Sequence, residues 1–181
     1  GPNHYVAMAN SDFAIYDKAG TLVFGPVNIN TLWSGFGGDC QTDNSGDPIV
    51  LHDQMADRWI LTQFTGSGPT FFNCVAVSQT TDPTGSYFRW AFTNGIDFPD
   101  YPKYGVWPDA LYISTRDFAN GTNFVGLSAF AIERSDLVAG DPNPTVIDFF
   151  VAPGGQPFIT GDGFLPSDFD GGNANLPPPG S

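Results

Sequence analysis

Two short apolar runs follow one another in the stretch GDPIVLHDQMADRWILTQF, which spans residues 46–64. The runs at 49–52 and 59–64 have the length and the β-branched and aromatic content of strands. A tight turn at Gly46-Asp47-Pro48 precedes the first run, and a second turn separates the two. This stretch therefore predicts two consecutive β-strands.

The same pattern occurs twice more in the chain. GPNHYVAM at residues 1–8 and WPDALYIS at residues 107–114 also place a turn and a polar residue before an apolar strand, followed by two further strands. Asn3, Asp47 and Asp109 occupy the matching positions, 44 and 62 residues apart. These offsets bracket the roughly 40–50 residues of a four-stranded β-propeller blade.

We therefore predict an all-β fold made of antiparallel four-stranded blades of a β-propeller. The segment covers residues 1–160 and contains about three blades, at 1–36, 46–94 and 103–160, and residues 161–181 form a blade connection or linker. Three blades do not close a ring, because propellers use about four to eight. Three alternatives stay open: missing blades of a longer parent chain, a ring completed by a homo-oligomer, or a β-sandwich in place of a propeller.

The composition restricts the partners. Six Lys and Arg against 19 Asp and Glu give a net charge of −13, so the field of the protein repels phosphate backbones, and we expect no nucleic acid partner. No apolar stretch is long enough for membrane insertion. The 22 Gly, 16 Pro and single Glu argue against a helical bundle.

The two cysteines, Cys40 and Cys74, can close one disulfide-bonded loop. A disulfide and an acidic, Lys-poor composition together favour a secreted, extracellular protein. Two buried free thiols are the alternative.

Several motifs resemble a family of large secreted bacterial proteins with β-propeller-like repeats and undefined activity. The motifs are GPNHYV at residues 1–6, GDPIVLHDQMADRW at 46–59 and DYPKYGVWPDA at 100–110. The resemblance covers nearly the whole chain and implies that the chain is an internal segment of a larger secreted protein. It brings no catalytic residues with it. One departure is His52, which stands where the resemblance implies a tyrosine and adds a titratable group.

Two aspartates are the candidate catalytic residues. Asp47 and Asp109 precede strands at matching positions of the repeat, and a glycoside hydrolase needs two carboxylates about 5–9 Å apart. Aspartate in a tight turn before a strand also serves backbone capping alone.

An acidic cluster is the candidate metal site. Asp39, Asp43, Asn44 and Asp47 supply the oxygen ligands that Ca²⁺ prefers, although their spacing is not that of an EF-hand. A solvated acidic loop is the alternative to calcium.

The segment at residues 100–109 is the candidate ligand-binding loop. Tyr101, Lys103, Tyr104 and Trp107 combine aromatic faces with a hydrogen-bonding group, which suits an extracellular glycan or a protein surface. Packing of the aromatic rings against a blade edge is the alternative.

The sequence favours an extracellular propeller segment that binds or scaffolds a glycan or a protein, with calcium as a candidate stabilising ion. A carbohydrate-active hydrolase or lyase that uses Asp47 and Asp109 is the second hypothesis. The third is a structural protein that self-assembles through exposed blade edges.

Overall fold

Antiparallel strands form three separate sheets in the computed structural model, which describes residues 1–154 and 163–171. Strands that are consecutive in the chain lie side by side in each sheet, and each sheet ends in two edge strands. The prediction of an all-β fold is confirmed.

Sheet 1 has three strands, β1 (His4–Ala9), β2 (Asp12–Asp17) and β3 (Leu22–Asn28). The turn between β2 and β3 is fixed by Asp17, whose carboxylate accepts the backbone N–H groups of Ala19 and Thr21. This is the local capping that a polar residue before Gly favours.

A 3₁₀ turn (Ile29–Trp33) and the short helix α1 (Asp39–Thr42) carry the chain from sheet 1 to sheet 2. Sheet 2 is a meander of four strands, namely β4 (Val50–Asp53), β5 (Arg58–Phe64), β6 (Phe71–Ser78) and β7 (Tyr87–Gly95).

Sheet 3 repeats that order. Its four strands are β8 (Phe98–Val106), β9 (Ala110–Ala119), β10 (Asn123–Glu133) and β11 (Val146–Val151). The helix α2 (Arg134–Ala139) connects β10 to β11 and ends at Gly140, which has the left-handed conformation that commonly stops a helix.

Strand β8 corrects the sequence analysis, which placed a loop at residues 100–109. The segment contains Pro102 and follows Pro99, and proline cannot donate to a sheet, but β8 is an edge strand, where proline is tolerated. Sheet 3 consequently begins at Phe98. Asp109 then precedes the second strand of its sheet, whereas Asp47 precedes the first, so the two positions do not match as predicted.

Sheet 2 lies between the other two sheets and has both faces covered. Trp59 and Leu61 of β5 pack with Phe13 and Ile15 of sheet 1, whereas Ile60 packs with the core formed with sheet 3. Alternation along the strand sends successive side chains to opposite faces. The described residues therefore form two cores, one on each side of sheet 2.

The outer edges of the stack carry exposed apolar side chains. Leu22, Val23 and Phe24 of β3 are 40–48% exposed, and Phe149 and Phe150 of β11 are 62% and 54% exposed. Exposed apolar edge strands are templates for pairing with another strand.

The segment at residues 163–171 runs over sheet 3. The Phe169 N–H donates to the Val106 carbonyl, and the Val106 N–H donates to the Asp168 carboxylate. The other residues of the predicted linker at 161–181 lie outside the described part of the chain.

Candidate functional site

A cavity of about 330 Å³ lies where the first strands of the three sheets, β1, β4 and β8, come together. Its lining consists of residues 8–10 at the end of β1, residues 47–49 in the turn before β4, and Tyr101 and Pro102 of β8. We term it the junction cleft. Each sheet contributes to it, so its shape depends on how the sheets are stacked.

The backbone of the junction cleft is held in an uncommon conformation in each sheet. Asn10, Asp47 and Tyr101 all have positive φ angles, of 48°, 43° and 51°. This left-handed region is tolerated by Asn and Asp but is unusual for a bulky residue such as Tyr. Strained backbone of this type concentrates at functional sites.

A β-bulge gives Tyr101 its position. The register of β8 against β9 shifts between Asp100 and Lys103, which leaves the two residues between them without a regular partner. Bulges bend the strand and redirect a side chain. Tyr101 is 57% exposed, and the Lys103 ammonium lies 4.2 Å from the centroid of its ring.

Gly46 explains why the Asp47 turn can reach sheet 1. A Cβ at this position would lie 2.7 Å from the carbonyl oxygen of Asn10, so a side chain would force the two segments apart. The φ angle of Gly46 is 102°, which also favours glycine.

Asp47 lines the junction cleft, and its carboxyl group lies within electrostatic reach of a second carboxylate, Asp100. Desolvation raises the pKa of Asp47, and the negative charge of Asp100 raises it further. A pair of this type accepts hydrogen bonds from ligand hydroxyl groups and attracts cationic groups. Nothing in the sequence pattern marks Asp100 or Asn10 as site residues, because the β8 bulge next to Asp100 cannot be deduced from spacing.

Of the other predicted ligand-binding residues, Lys103 lies against the Tyr101 ring, whereas Tyr104 and Trp107 lie apart from the junction cleft. Tyr104 is only 8% exposed and belongs to the core between sheets 2 and 3, where burial raises the pKa of its phenol well above the usual range. Trp107 lines a separate apolar cavity of about 270 Å³ with Phe164 and Pro166. The prediction that Tyr104 belongs to a binding loop is therefore wrong, because alternation on β8 directs it into the core.

Asp47 and Asp109, the predicted catalytic pair, are not brought together. Asp47 lies beside the start of β8 through its proximity to Tyr101, whereas Asp109 follows the end of that strand and accepts a hydrogen bond from the Tyr112 hydroxyl. The carboxylate that approaches Asp47 is Asp100 instead.

Two side chains of the predicted calcium cluster, Asp43 and Asn44, form hydrogen bonds within the protein. Asp43 accepts the backbone N–H groups of Gly66 and Ser67, and Asn44 joins Asn30 to Ser11 by two hydrogen bonds. Asp39 lies in the first turn of α1, and Asp47 borders the junction cleft. Within residues 1–154 and 163–171, no three His, Cys, Asp or Glu side chains are grouped as metal ligands, so calcium at these residues stays a prediction.

The predicted disulfide is confirmed. Cys40 of α1 is bonded to Cys74 of β6, and both residues are buried. The bond attaches the connection after sheet 1 to the middle of sheet 2, and disulfides persist in oxidising compartments.

None of the helices in the described ranges combines the length and hydrophobicity needed to span a membrane. Comparison with protein-family models, with curated proteins and with solved structures finds no match to this chain.

Proposed function

We propose that the chain is an extracellular β-propeller segment, of the type found in large secreted repeat proteins, and that it binds a neutral or cationic glycan in the junction cleft. The observation that carries the proposal is that the exposed Tyr101 lines the same cleft as Asp47, whose carboxyl group lies within electrostatic reach of Asp100. An aromatic ring offers a sugar its apolar face, and carboxylates accept hydrogen bonds from sugar hydroxyls.

The stacking of the sheets supports the propeller part of the proposal. A β-sandwich has two sheets and one core, whereas this chain has three meanders in succession with a core on each face of the middle one. The first strands also meet at one place, as the innermost strands of neighbouring blades do in a propeller. The disulfide and the acidic composition support an extracellular location.

Charge supports the restriction to neutral or cationic glycans. The two carboxylates and the net charge of −13 disfavour uronic acid and sulfated sugars. A glycan that contains free amino groups would gain attraction from the same field, and that gain would weaken as salt is added.

Affinity electrophoresis in gels that contain neutral or amino polysaccharides tests the proposal. We expect one of these polysaccharides to retard the native protein, Tyr101→Ala to abolish the retardation, and Asp100→Asn to weaken it. Tyr5→Ala is the matched control, since Tyr5 is also exposed, at 55%, and also has a lysine, Lys18, over its ring, but lies outside the cleft. Equal retardation of the two alanine variants would contradict the proposal.

The same polysaccharides separate binding from hydrolysis. Release of reducing ends by the native protein, lost in Asp47→Asn and in Asp100→Asn, would replace the binding proposal by the hydrolase hypothesis with a different pair of carboxylates.

Self-assembly is a second candidate function, because β3 and β11 expose apolar side chains along unpaired edges. Size-exclusion chromatography over a range of concentrations tests it. A mass that increases with concentration, and that reverts in Phe149→Asp, is expected if β11 pairs with another copy. A constant monomeric mass would exclude it.

A further inference from the structure

Sheet 1 has one strand fewer than its neighbours. Its order ends at β3, whereas sheets 2 and 3 continue to a fourth strand, β7 and β11. The free edge of β3 begins with Leu22, Val23 and Phe24, which are 40–48% exposed. Pro26 lacks a backbone donor, so residues 22–24 are the part of this edge that can pair with another strand.

A cavity of about 440 Å³ lies beside β3, where a fourth strand of sheet 1 would cover β7. Phe24 of β3 lines it on the sheet 1 side, and Tyr87 and Arg89 of β7 line it on the sheet 2 side. Arg89 lies opposite Ala76 of β6, which packs in the core with sheet 1, so Arg89 points to that side of the sheet. We term this cavity the Arg89 recess. It shares no lining residue with the junction cleft.

Arg89 gives the recess a positive charge. It is the only charged residue among those that line the recess in the described part of the chain. Its guanidinium donates to the carbonyls of Leu32 and Ser34, at 3.3 and 2.8 Å, and no carboxylate within residues 1–154 and 163–171 is paired with it. The carbonyls are neutral, so a carboxylate that enters the recess would form the ion pair that Arg89 lacks.

Strand β11 has a shape and a chemistry that complement the recess. Its sequence, VIDFFV at residues 146–151, places one carboxylate, that of Asp148, among apolar residues. Ile147 and Phe149 are 55% and 62% exposed on one face of the strand, and Phe150 is 54% exposed on the other. Because both faces are exposed, β11 extends beyond the cover that sheet 2 gives to sheet 3. Its outer edge is also unpaired.

We infer that β11 of one copy of the chain enters the Arg89 recess of a second copy and pairs with β3 as the fourth strand of sheet 1. The inference rests on the self-assembly candidate above and names the two surfaces that meet. Asp148 and Phe150 share a face of β11, so Asp148 would pair with Arg89 while Phe150 packs against Tyr87. Since the two surfaces differ, the copies associate head to tail.

Pairing of β11 with β11 of another copy is the competing arrangement. Asp148 is the third residue of this six-residue strand, so an antiparallel pair would bring two Asp148 carboxylates close to its centre. Like charges in such positions destabilise strand pairing. The net charge of −13 on each copy adds repulsion, so a contact that joins opposite charges is favoured over this one.

Sedimentation velocity of the native protein and of two charge-reversal variants tests the inference. We expect the native protein to form assemblies of two or more copies as its concentration rises. Arg89→Glu and Asp148→Lys should each weaken association by about a hundredfold, because each brings two like charges together. An equal mixture of the two variants should assemble again, since every contact in the mixture can join a positive side chain to a negative one.

Arg58→Glu is the matched control. Arg58 also donates to two backbone carbonyls, those of Ala56 and Asp57, but lies outside the recess, so this variant should associate as the native protein does. Near-ultraviolet circular dichroism checks the fold of each variant. Asp148 is exposed, so Asp148→Lys alone decides the test if Arg89→Glu does not fold.

Two results would overturn the inference, and they differ in what else they overturn. A native protein that stays monomeric at all concentrations would exclude the self-assembly candidate as well, and would leave glycan binding in the junction cleft untouched. Native assembly that is equally strong in Arg89→Glu and Asp148→Lys would exclude the contact between β11 and the Arg89 recess alone.

Discussion

The two interfaces of sheet 2 are built from different chemistry. The sheet 1 side is mainly apolar and aromatic, includes Trp33 and Trp59, and is locked by the Cys40–Cys74 disulfide. The sheet 3 side has an aliphatic and aromatic centre, with an ion pair between Asp53 and Arg134 toward one end. Toward the other end lies the Asp117 cluster, a buried hydrogen-bonded group of Asn73, Asn94, Thr115, Asp117 and Ser128.

The two kinds of contact differ in whether they fix the angle between the sheets they hold together. Apolar contacts and a cross-link hold two sheets together without fixing their relative angle closely, whereas hydrogen-bonded charges are favourable only in one geometry. Because sheet 3 supplies Tyr101 and Pro102 to the junction cleft, its orientation decides the shape of the cleft. We therefore expect the sheet 1 interface to respond to reduction, and the sheet 3 interface to respond to changes of charge.

Loss of the disulfide should have the largest effect on stability. Replacing both Cys40 and Cys74 by Ser removes a cross-link between residues 34 apart, and the loop-closure entropy corresponds to about 4 kcal/mol of unfolding free energy. Urea denaturation followed by circular dichroism measures the loss. A decrease below about 1 kcal/mol would show that packing alone holds sheet 1 to sheet 2.

Loss of the ion pair between Asp53 and Arg134 should have the second largest effect on stability. The Arg134 guanidinium donates to both oxygens of Asp53, at 2.6 and 3.1 Å, and Asp53 is 1% exposed, so Arg134→Met leaves a buried carboxylate unpaired and should cost about 3 kcal/mol. Arg58→Met is the control, since Arg58 bonds only to nearby carbonyls of its own sheet. The double variant Arg134→Met with Asp53→Asn should recover part of the lost unfolding free energy. Equal losses of unfolding free energy in Arg134→Met and Arg58→Met would contradict a stabilising role for the ion pair between sheets 2 and 3.

Gly46→Ala should have a smaller effect on stability but a large effect on glycan binding in the junction cleft. The new Cβ meets the Asn10 carbonyl oxygen in a backbone region that disfavours alanine, at a cost of about 1–3 kcal/mol. Gly20→Ala is the matched control, because Gly20 also has a positive φ but has nothing within 4 Å of the added methyl. Retardation by the glycan should be lost in Gly46→Ala and kept in Gly20→Ala. If Gly46→Ala keeps the retardation and Gly20→Ala loses it, the contact between Gly46 and Asn10 is not needed for binding.

The smallest effect should come from His52, which lies on β4 of sheet 2 and packs beside Trp59. Burial lowers the pKa of His52, although its hydrogen bond to Asp57 opposes the shift. The unfolded chain therefore binds a proton more readily, and stability should decline as the pH falls below about 6.5, the usual pKa of histidine.

His52→Tyr tests this dependence, since tyrosine retains an aromatic ring beside Trp59, 4.8 Å away in the native protein, and does not titrate there. Urea midpoints between pH 7 and pH 5 should fall less steeply in His52→Tyr than in the native protein. Parallel slopes would show that other groups cause the acid sensitivity.

The sequence was sufficient for most strands and for the disulfide, because apolar runs and turn residues are local signals. The sequence did not predict β8. Pro99 and Pro102 are more typical of a loop, and the segment is a strand because it pairs with β9. For the same reason, the sequence did not indicate the junction cleft. Asp100 approaches Asp47 only because a bulge in β8 faces a turn of another sheet, and no spacing in the chain encodes that approach.

The Asp117 cluster shows the same limit. Asn73, Asn94 and Asp117 are far apart in the sequence, and each alone is typical of an exposed turn or strand end. Stacking of sheets 2 and 3 brings them together and buries them. Long-range packing therefore determines both the cleft and the Asp117 cluster.

Chemical-shift mapping by NMR, with a titrated oligosaccharide from a polysaccharide that retards the protein, tests the central claim most directly. We predict that the perturbed backbone amides belong to three separate segments, at residues 8–10, 46–50 and 100–103, one from each sheet or the turn before it. Perturbations confined to the cavity around Trp107 and Phe164, or to a single sheet, would contradict binding in the junction cleft.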